Sequence, residues 1–263
     1  MIYQGVLKKM LTENATEIQY YLDMDSDFLN MNQLLSKHFS IKFEGHQCLH
    51  CNLERKIYRT GFCKSCFFDT PSAGDWIMKP ELSKAHLNIE DRDLTYEKQV
   101  QLKPHIVYLA NSSNVKVGVT RKSQVPTRWI DQGAHEALEI VEAPNRYLAG
   151  ITEVALKAFV ADKTNWRKML KNDIEEVNLI TVREQLKQHI PDEVVPYFLD
   201  NSKEVHLNFP VLQYPEKPKS LQLEKTLSYQ GKLVGIKGQY LIFEDDTVFN
   251  VRSNEGLVVS IEI

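Results

Sequence analysis

Apolar residues alternate with polar ones near the start of the chain. Ile18, Tyr20 and Leu22 take every second place around Gln19 and Tyr21, and Ile41-Lys42-Phe43 repeats that period. A strand with one buried face reads this way, so residues 1–45 are predicted to be β-rich. Residues 71–97 hold two prolines and many acids and predict loops with room for one short helix. His105-Ile-Val-Tyr-Leu-Ala, the turn residues Asn111-Ser-Ser-Asn114 and Val115-Lys-Val-Gly-Val-Thr predict a hairpin over 104–120.

The period then changes. Leu148, Ile151, Ala155, Ala158 and Phe159 recur at three and four, which predicts a helix within 145–172. A second helix is expected over 173–189, capped by Asp173, with Ile174, Val177, Ile180 and Leu186 inward and Pro191 ending it. A short helix near 193–199 and an alternating strand at Val205, Leu207 and Phe209 follow. Residues 214–220 are the best linker candidate. Beyond them, glycines 231, 235, 238 and 256 punctuate four expected strands near 229–236, 239–243, 247–252 and 257–263. That tail suits a small sheet of its own or pairing with the N-terminal strands, since Tyr3-Gln-Gly-Val-Leu-Lys resembles Tyr229-Gln-Gly-Lys-Leu-Val.

Composition narrows the class. The 263 residues are 43% hydrophobic and 25% charged with a net charge of -3, which excludes a disordered chain and a bulk polycation. Any nucleic-acid partner must meet a local patch. Charge and glycine interrupt the first residues before an export signal builds up, and no apolar run approaches the roughly 20 residues that span a bilayer. A cytoplasmic protein without a membrane partner is expected.

Four cysteines form two C-x-x-C pairs, Cys48/Cys51 and Cys63/Cys66. Each such turn aims two sulfurs at one point, so four thiolates predict a closed, structural zinc site. Gly61-Phe62 before Cys63 fits a treble-clef-like module whose last pair opens a helix. Two disulfides, a redox pair or a rubredoxin-type iron are the alternatives for the same spacing. His46 and His50 are spare ligands, expected to be exposed. The insert Arg55-Lys-Ile-Tyr-Arg59, with Lys64, mixes basic and aromatic groups that suit phosphates and bases, or a solvated hairpin.

From Lys98 to Trp129 there is no Asp or Glu, while Lys98, Lys103, Lys116, Arg121, Lys122 and Arg128 all fall there. In an acidic chain this asymmetry predicts a polyanion-binding surface, unless acids of 81–97 and 136–142 neutralise it in the fold. Within the stretch, Ile106-Val107-Tyr108, Lys116-Val117-Gly118, Arg128 and then Glu153 resemble the core of the GIY-YIG nuclease superfamily. The resemblance implies that Tyr108 helps activate water, Arg128 stabilises charge on the phosphate and Glu153 holds one Mg²⁺ or Mn²⁺. Lys116 stands where the second tyrosine is expected and Gln132 where a histidine often follows the arginine. His105 and His135 are the candidates to move a proton in their place.

A wider resemblance covers most of the chain. The cysteine segment, His105–Ala110, Val117–Arg121, Pro126–Ala134 and Asp162–Leu170 are similar to the bacterial domain of unknown function 2797 family. It implies that the zinc module and hairpin core belong together and implies no activity. Trp129, Lys163 and Arg167 join Lys98, Lys103, Arg121 and Lys122 as candidate nucleic-acid contacts, with a core position the favoured alternative for Trp129. Arg146 is a phosphate contact or a helix-surface residue, the latter favoured.

The expected architecture is α+β. A β-rich segment spans 1–45, the zinc module and a polar connection 46–97, a GIY-YIG-like core of a small mixed or antiparallel sheet with packed helices 98–213, and a small β segment 221–263. The expected function is nucleic-acid processing by a Mg²⁺- or Mn²⁺-dependent phosphodiester endonuclease acting on DNA or RNA. The alternative is a non-catalytic nucleic-acid-binding or protein-interaction module on the same scaffold.

Overall fold

A computed structural model describes residues 1–25, 27–160 and 165–263. The chain is α+β and divides into two compact units. Met1–Phe68, Leu170–Asn172 and Leu207–Ile263 form the first; Asp69–Met169 and Asp173–His206 form the second.

In the first unit, seven strands lie side by side in the order Ile2–Val6, Leu257–Glu262, His38–His46, Ser228–Lys237, Tyr240–Phe243, Thr247–Asn250 and Lys219–Ser220. All neighbours are antiparallel except the last pair. The C-terminal strands thus share a sheet with those of residues 1–45. The two segments that resemble each other, at Tyr3 and Tyr229, belong to this one sheet, with two other strands between them. Hydrogen bonding between chain ends holds the arrangement: the Gln239 side chain accepts from the Met10 N–H at 2.7 Å and donates to the Met10 carbonyl at 3.1 Å. The 214–220 stretch is tied down, because the Glu216 and Lys217 N–H groups donate to the Asp246 carboxylate. A three-stranded sheet of Leu11–Glu13, Gln19–Met24 and Asp27–Asn30 shows the expected alternation, with Tyr20, Leu22 and Met24 buried.

The second unit is built on a four-stranded antiparallel sheet in the order Val205–His206, Glu136–Ala143, His105–Asn111, Val115–Arg121. The last two strands are the predicted hairpin. Side chains on a strand point alternately to opposite faces. Val107, Leu109 and Val117 therefore share one apolar core with Leu138, Ile140 and Val141, and with Ala149, Leu156, Leu179 and Leu186 from two helices. The directly opposed pairs Ile106/Thr120, Tyr108/Gly118 and Ala110/Lys116 take the other face.

Two helices differ from expectation. The 145–172 pattern resolves into Arg146–Leu156 and Trp166–Leu170. The second helix starts at Leu179 rather than 173, because Asn178 caps it by accepting from the Thr181 N–H at 2.8 Å. Residues before it are held by the hairpin turn: the Glu175 carbonyl accepts from the Asn111 side chain, and the Glu175 N–H donates to the Ser113 carbonyl. Alternation at 205–209 yields a strand only at Val205–His206.

Gly150, inside the Arg146–Leu156 helix, faces the turn at Pro80–Leu82. A Cβ on it would lie 2.2 Å from the Glu81 nitrogen and 2.4 Å from the Pro80 carbonyl carbon, both backbone atoms that cannot swing aside. Helix propensity alone predicts that Gly150→Ala gains about 1 kcal/mol. Overpacking against backbone outweighs it, and a net loss of about 2 kcal/mol is expected. Thermal unfolding should show a Tm lower by roughly 4–8 °C; an unchanged or raised Tm would contradict this packing.

Candidate functional site

The cysteine cluster is local. After the His38–His46 strand the chain turns through Asn52 at φ +56°, with the Asn52 N–H donating to the Cys48 carbonyl. The hairpin of Ile57–Arg59 and Phe62–Cys63 reverses at Thr60-Gly61, where both residues have positive φ, and Lys64–Asp69 opens as a helix carrying Cys66. All four sulfurs then lie within 4.8 Å of one another. Burial pushes the Cys48 thiol up, but N–H groups of Cys51, Cys63 and His50 outweigh it and hold it down at about 6; the Cys63 N–H lies 3.3 Å from the Cys48 sulfur. Cys63 is also lowered, chiefly by the Cys66 N–H. Burial and the three neighbouring sulfurs push Cys66 up to about 12. Four thiols so close cannot all ionise unless a cation shares their charge, and the set is compatible with zinc. His46 is engaged elsewhere, with its Nε2 2.8 Å from a Glu224 carboxylate oxygen, and His50 is exposed.

In the second unit the sheet brings distant residues together. Tyr108 is fully buried, its ring above Gly118; a Cβ there would sit 2.7 Å from the phenol oxygen. The hydroxyl donates to the Gln132 side-chain oxygen at 3.1 Å. Burial pushes the phenol upward, opposed by the charge and hydrogen bond of Arg128, while the Glu153 charge adds to the rise. Arg128 and Glu153 thus both act on Tyr108.

Lys116 is buried, and burial followed by the Arg128 charge pushes its ammonium down to about 8. Arg146, favoured from sequence as a surface residue, is buried. Its Nε donates to the Trp76 carbonyl at 3.0 Å and a terminal nitrogen to that of Ile77 at 2.7 Å. Burial lowers it to about 10; the Glu153 charge opposes this, and Arg121 and Arg128 add to it. The Glu153 carboxyl is raised by burial, offset by Lys157, whose nitrogen lies 3.5 Å away; Glu81 raises it further. Arg128 thus acts on both Lys116 and Arg146, and Arg121 on Arg146, while Glu139 and Glu142 stand opposite Tyr108 and Ile106 across the sheet. Cations that repel one another in this way lower the energy of an anion brought between them.

Other candidates lie elsewhere. Trp129 is 1% exposed, packed 6.0 Å from the Tyr108 ring, so its face is covered by protein rather than open to a base. Lys122 is exposed and paired with Glu142 at 2.7 Å, the neutralisation by 136–142 that the sequence left open. Lys98 is half-buried on the Leu94–Gln101 helix and Lys103 exposed in the following turn. Arg167 is exposed and stacked on Trp166 at 4.2 Å. Lys163 and Asp162 lie outside the described residues. His105 is buried, with Nδ1 2.7 Å from the Lys103 carbonyl oxygen, and burial pushes it down to about 4. It is closed off from solvent, whereas His135 is exposed beside His206. The Gln132 bond to Tyr108 and the burial of Arg146 carry no sequence signal of their own.

Lys116 also makes stability depend on pH. Its folded value lies below the unfolded 10.5, so the unfolded chain binds more protons between about 8 and 10.5. Stability from this group therefore rises with pH across that window, and its cost is complete below about 8. Lys116→Met should stabilise the protein at pH 7 by about 1–3 kcal/mol, with the advantage shrinking toward pH 10.5. Denaturant titrations at several pH values would show a pH-independent difference if the ammonium were well solvated.

No curated protein and no solved structure matches the chain. Among the described residues no helix is long and apolar enough to cross a membrane. One family does match, over residues 36–259, taking in the cysteine cluster and all of the second unit's sheet: the chain belongs to the family described as protein of unknown function (DUF2797).

Proposed function

We propose that the protein processes nucleic acid at the Tyr108–Lys116–Arg128–Glu153 constellation, as a divalent-metal-dependent phosphodiester endonuclease of the GIY-YIG type. The observation that supports this reading is that Arg128 and Glu153 both act on Tyr108, while Arg128 also acts on Lys116 and Arg146. A phenol, a guanidinium and a carboxylate are residue types that suit phosphodiester cleavage, and two of them act on the third here although they are far apart in the chain.

The residues divide the work as follows. Arg128 and Arg146 attract the phosphate, and Arg128 holds charge that grows on it in the transition state. Lys116, at about 8, exists in both protonation states near neutral pH, so it can take a proton where a phenol would otherwise act. Tyr108 is kept protonated by burial and keeps Gln132 in place through its hydroxyl. The Glu153 carboxylate, raised by burial and by Glu81, gains from a neighbouring cation and suits Mg²⁺ or Mn²⁺, which bind through one or two carboxylates plus substrate phosphate. When bound, such an ion supplies Lewis-acid stabilisation of the leaving oxygen.

A second reading has one specific observation behind it. The Tyr108 hydroxyl is covered and committed to Gln132, which favours a scaffold that binds nucleic acid without cutting it. Incubation with Mg²⁺ or Mn²⁺ and branched, single-stranded and duplex DNA and RNA separates the two. Cleavage should occur and fall at least 100-fold in Glu153→Gln, with binding in EDTA retained. Cutting that survives Glu153→Gln sinks the catalytic assignment, and salt-sensitive binding with no cutting by wild type leaves the second reading.

For the cysteine cluster we propose one structural zinc held by Cys48, Cys51, Cys63 and Cys66. Elemental analysis should find one zinc per chain, lost in a Cys51→Ala/Cys66→Ala variant together with several degrees of Tm. Two disulfides in the reducing-agent-free protein, seen by mass spectrometry, would refute it.

A further inference from the structure

The hairpin and the helix of the four-cysteine module carry aromatic and basic groups outside the sulfur cluster. The Tyr58, Phe67 and Phe68 rings form one cluster: their centroids are 5.3 Å apart for Tyr58 and Phe67, 5.7 Å for Tyr58 and Phe68, and 5.4 Å for Phe67 and Phe68. Tyr58 is 44% exposed and Phe68 54%. The Arg59 guanidinium lies 5.5 Å from the Tyr58 ring centre and 6.0 Å from that of Phe67. Large aromatic rings left in water at such exposure cost apolar hydration that a buried position would have avoided. The apolar contribution of the hairpin itself comes from Ile57 and Phe62, both half-buried, with Phe62 against the cysteine cluster.

The charge around the rings identifies what covers them. From Leu53 to Asp69 the chain has Arg55, Lys56, Arg59 and Lys64 against the acids Glu54 and Asp69. All four cations are exposed, and among the described residues none of them forms an ion pair. A zinc tetrathiolate carries about two negative charges, but buried beneath the hairpin and shared with N–H donors. An occupant must therefore combine flat apolar faces with negative charge repeated along its length. A duplex hides its base faces in its own stack, whereas an unpaired strand offers both.

We infer that the exposed ring cluster of Tyr58, Phe67 and Phe68, flanked by Arg55, Lys56, Arg59 and Lys64, is a platform for unpaired nucleotides of DNA or RNA. Bases stack on Tyr58 and Phe68, with Arg59 held over Tyr58 and Phe67, and the remaining cations follow the phosphates. The inference rests on the nucleic-acid reading above for the kind of ligand, and it adds that the ligand is single-stranded where it meets this module.

Fluorescence anisotropy with labelled 15-nucleotide oligo-dT, oligo-rU and a 15-base-pair duplex tests it on the full chain. Tyr58→Ala/Phe68→Ala should weaken single-strand binding by about tenfold or more while leaving duplex binding unchanged, the scale of losing stacking on two rings. Zinc content and Tm show whether the variant is folded, and Tyr58→Trp should bind like wild type with its fluorescence quenched by the oligonucleotide. Arg55→Gln/Lys56→Gln/Lys64→Gln should lower the log–log salt slope by about 2, a readout that a purely structural role does not move. Unchanged single-strand affinity in the ring variant, or binding of duplex alone by wild type, overturns the platform and leaves the proposed function standing. A wild-type protein that cuts nothing yet binds single strands through these rings overturns the nuclease reading and sustains the platform.

Discussion

The second unit depends on one cross-strand pair. Tyr108 stands directly opposite Gly118 in the hairpin, and the absence of a side chain at Gly118 is what gives the phenol somewhere to lie. The pleat has a period of two, so once Val107, Leu109 and Val117 are committed to the apolar core, Tyr108 and Lys116 must occupy the other face. A slip of one residue would send the ammonium and phenol into the hydrophobic layer and bring valines out. Register, core and candidate chemistry are therefore one constraint, and the Trp129 ring packed beside Tyr108 adds a wall to it.

Both units gather charges of like sign at close quarters, and in both the gathering costs energy that a partner of opposite sign recovers. In the first unit the partner is a cation: with four sulfurs within 4.8 Å, one thiol is held near 6 while another is pushed up to about 12. In the second, under the proposed function, it is an anion. Lys116 and Arg146 are both pushed down by burial and by other cations, and at Arg146 the Glu153 and Glu81 charges only partly oppose it. An arrangement like this disfavours the empty state more than a solvated surface pair would, because low dielectric strengthens repulsion along with attraction. The exposed basic groups on the cysteine hairpin belong to a different regime, where water screens them and their effect is on encounter and salt dependence.

The features legible from the sequence are those set by neighbours in the chain. Alternation at 18–22 and 105–120 identified strands, and the four tail strands were placed from their glycine punctuation, because pleat and turn are short-range. The cysteine pairs were readable for the same reason: a C-x-x-C turn converges its sulfurs with little help from the rest of the fold. Helix limits were less so. Asp173 reads as a cap on local grounds, yet Asn178 caps the helix, since Asn111 and Ser113 of the hairpin hold the backbone at Glu175. The two readings open for the tail were decided by long-range pairing of Leu257–Glu262 with both His38–His46 and Ile2–Val6.

Residue type and spacing alone determined that this chain has a four-sulfur cluster, a hairpin with a tyrosine and a lysine on one side, and an arginine and a glutamate downstream. Only the tertiary structure decided who is buried. It placed Arg146 under the carbonyls of Trp76 and Ile77, closed Trp129 and His105 away from solvent, and paired Lys122 with Glu142. Burial is a property of everything packed around a residue, and those neighbours come from segments far off in the chain. The same holds for electrostatics: Lys116 titrates unlike a surface lysine because the fold removes its water and brings Arg128 near, and neither event is written at position 116.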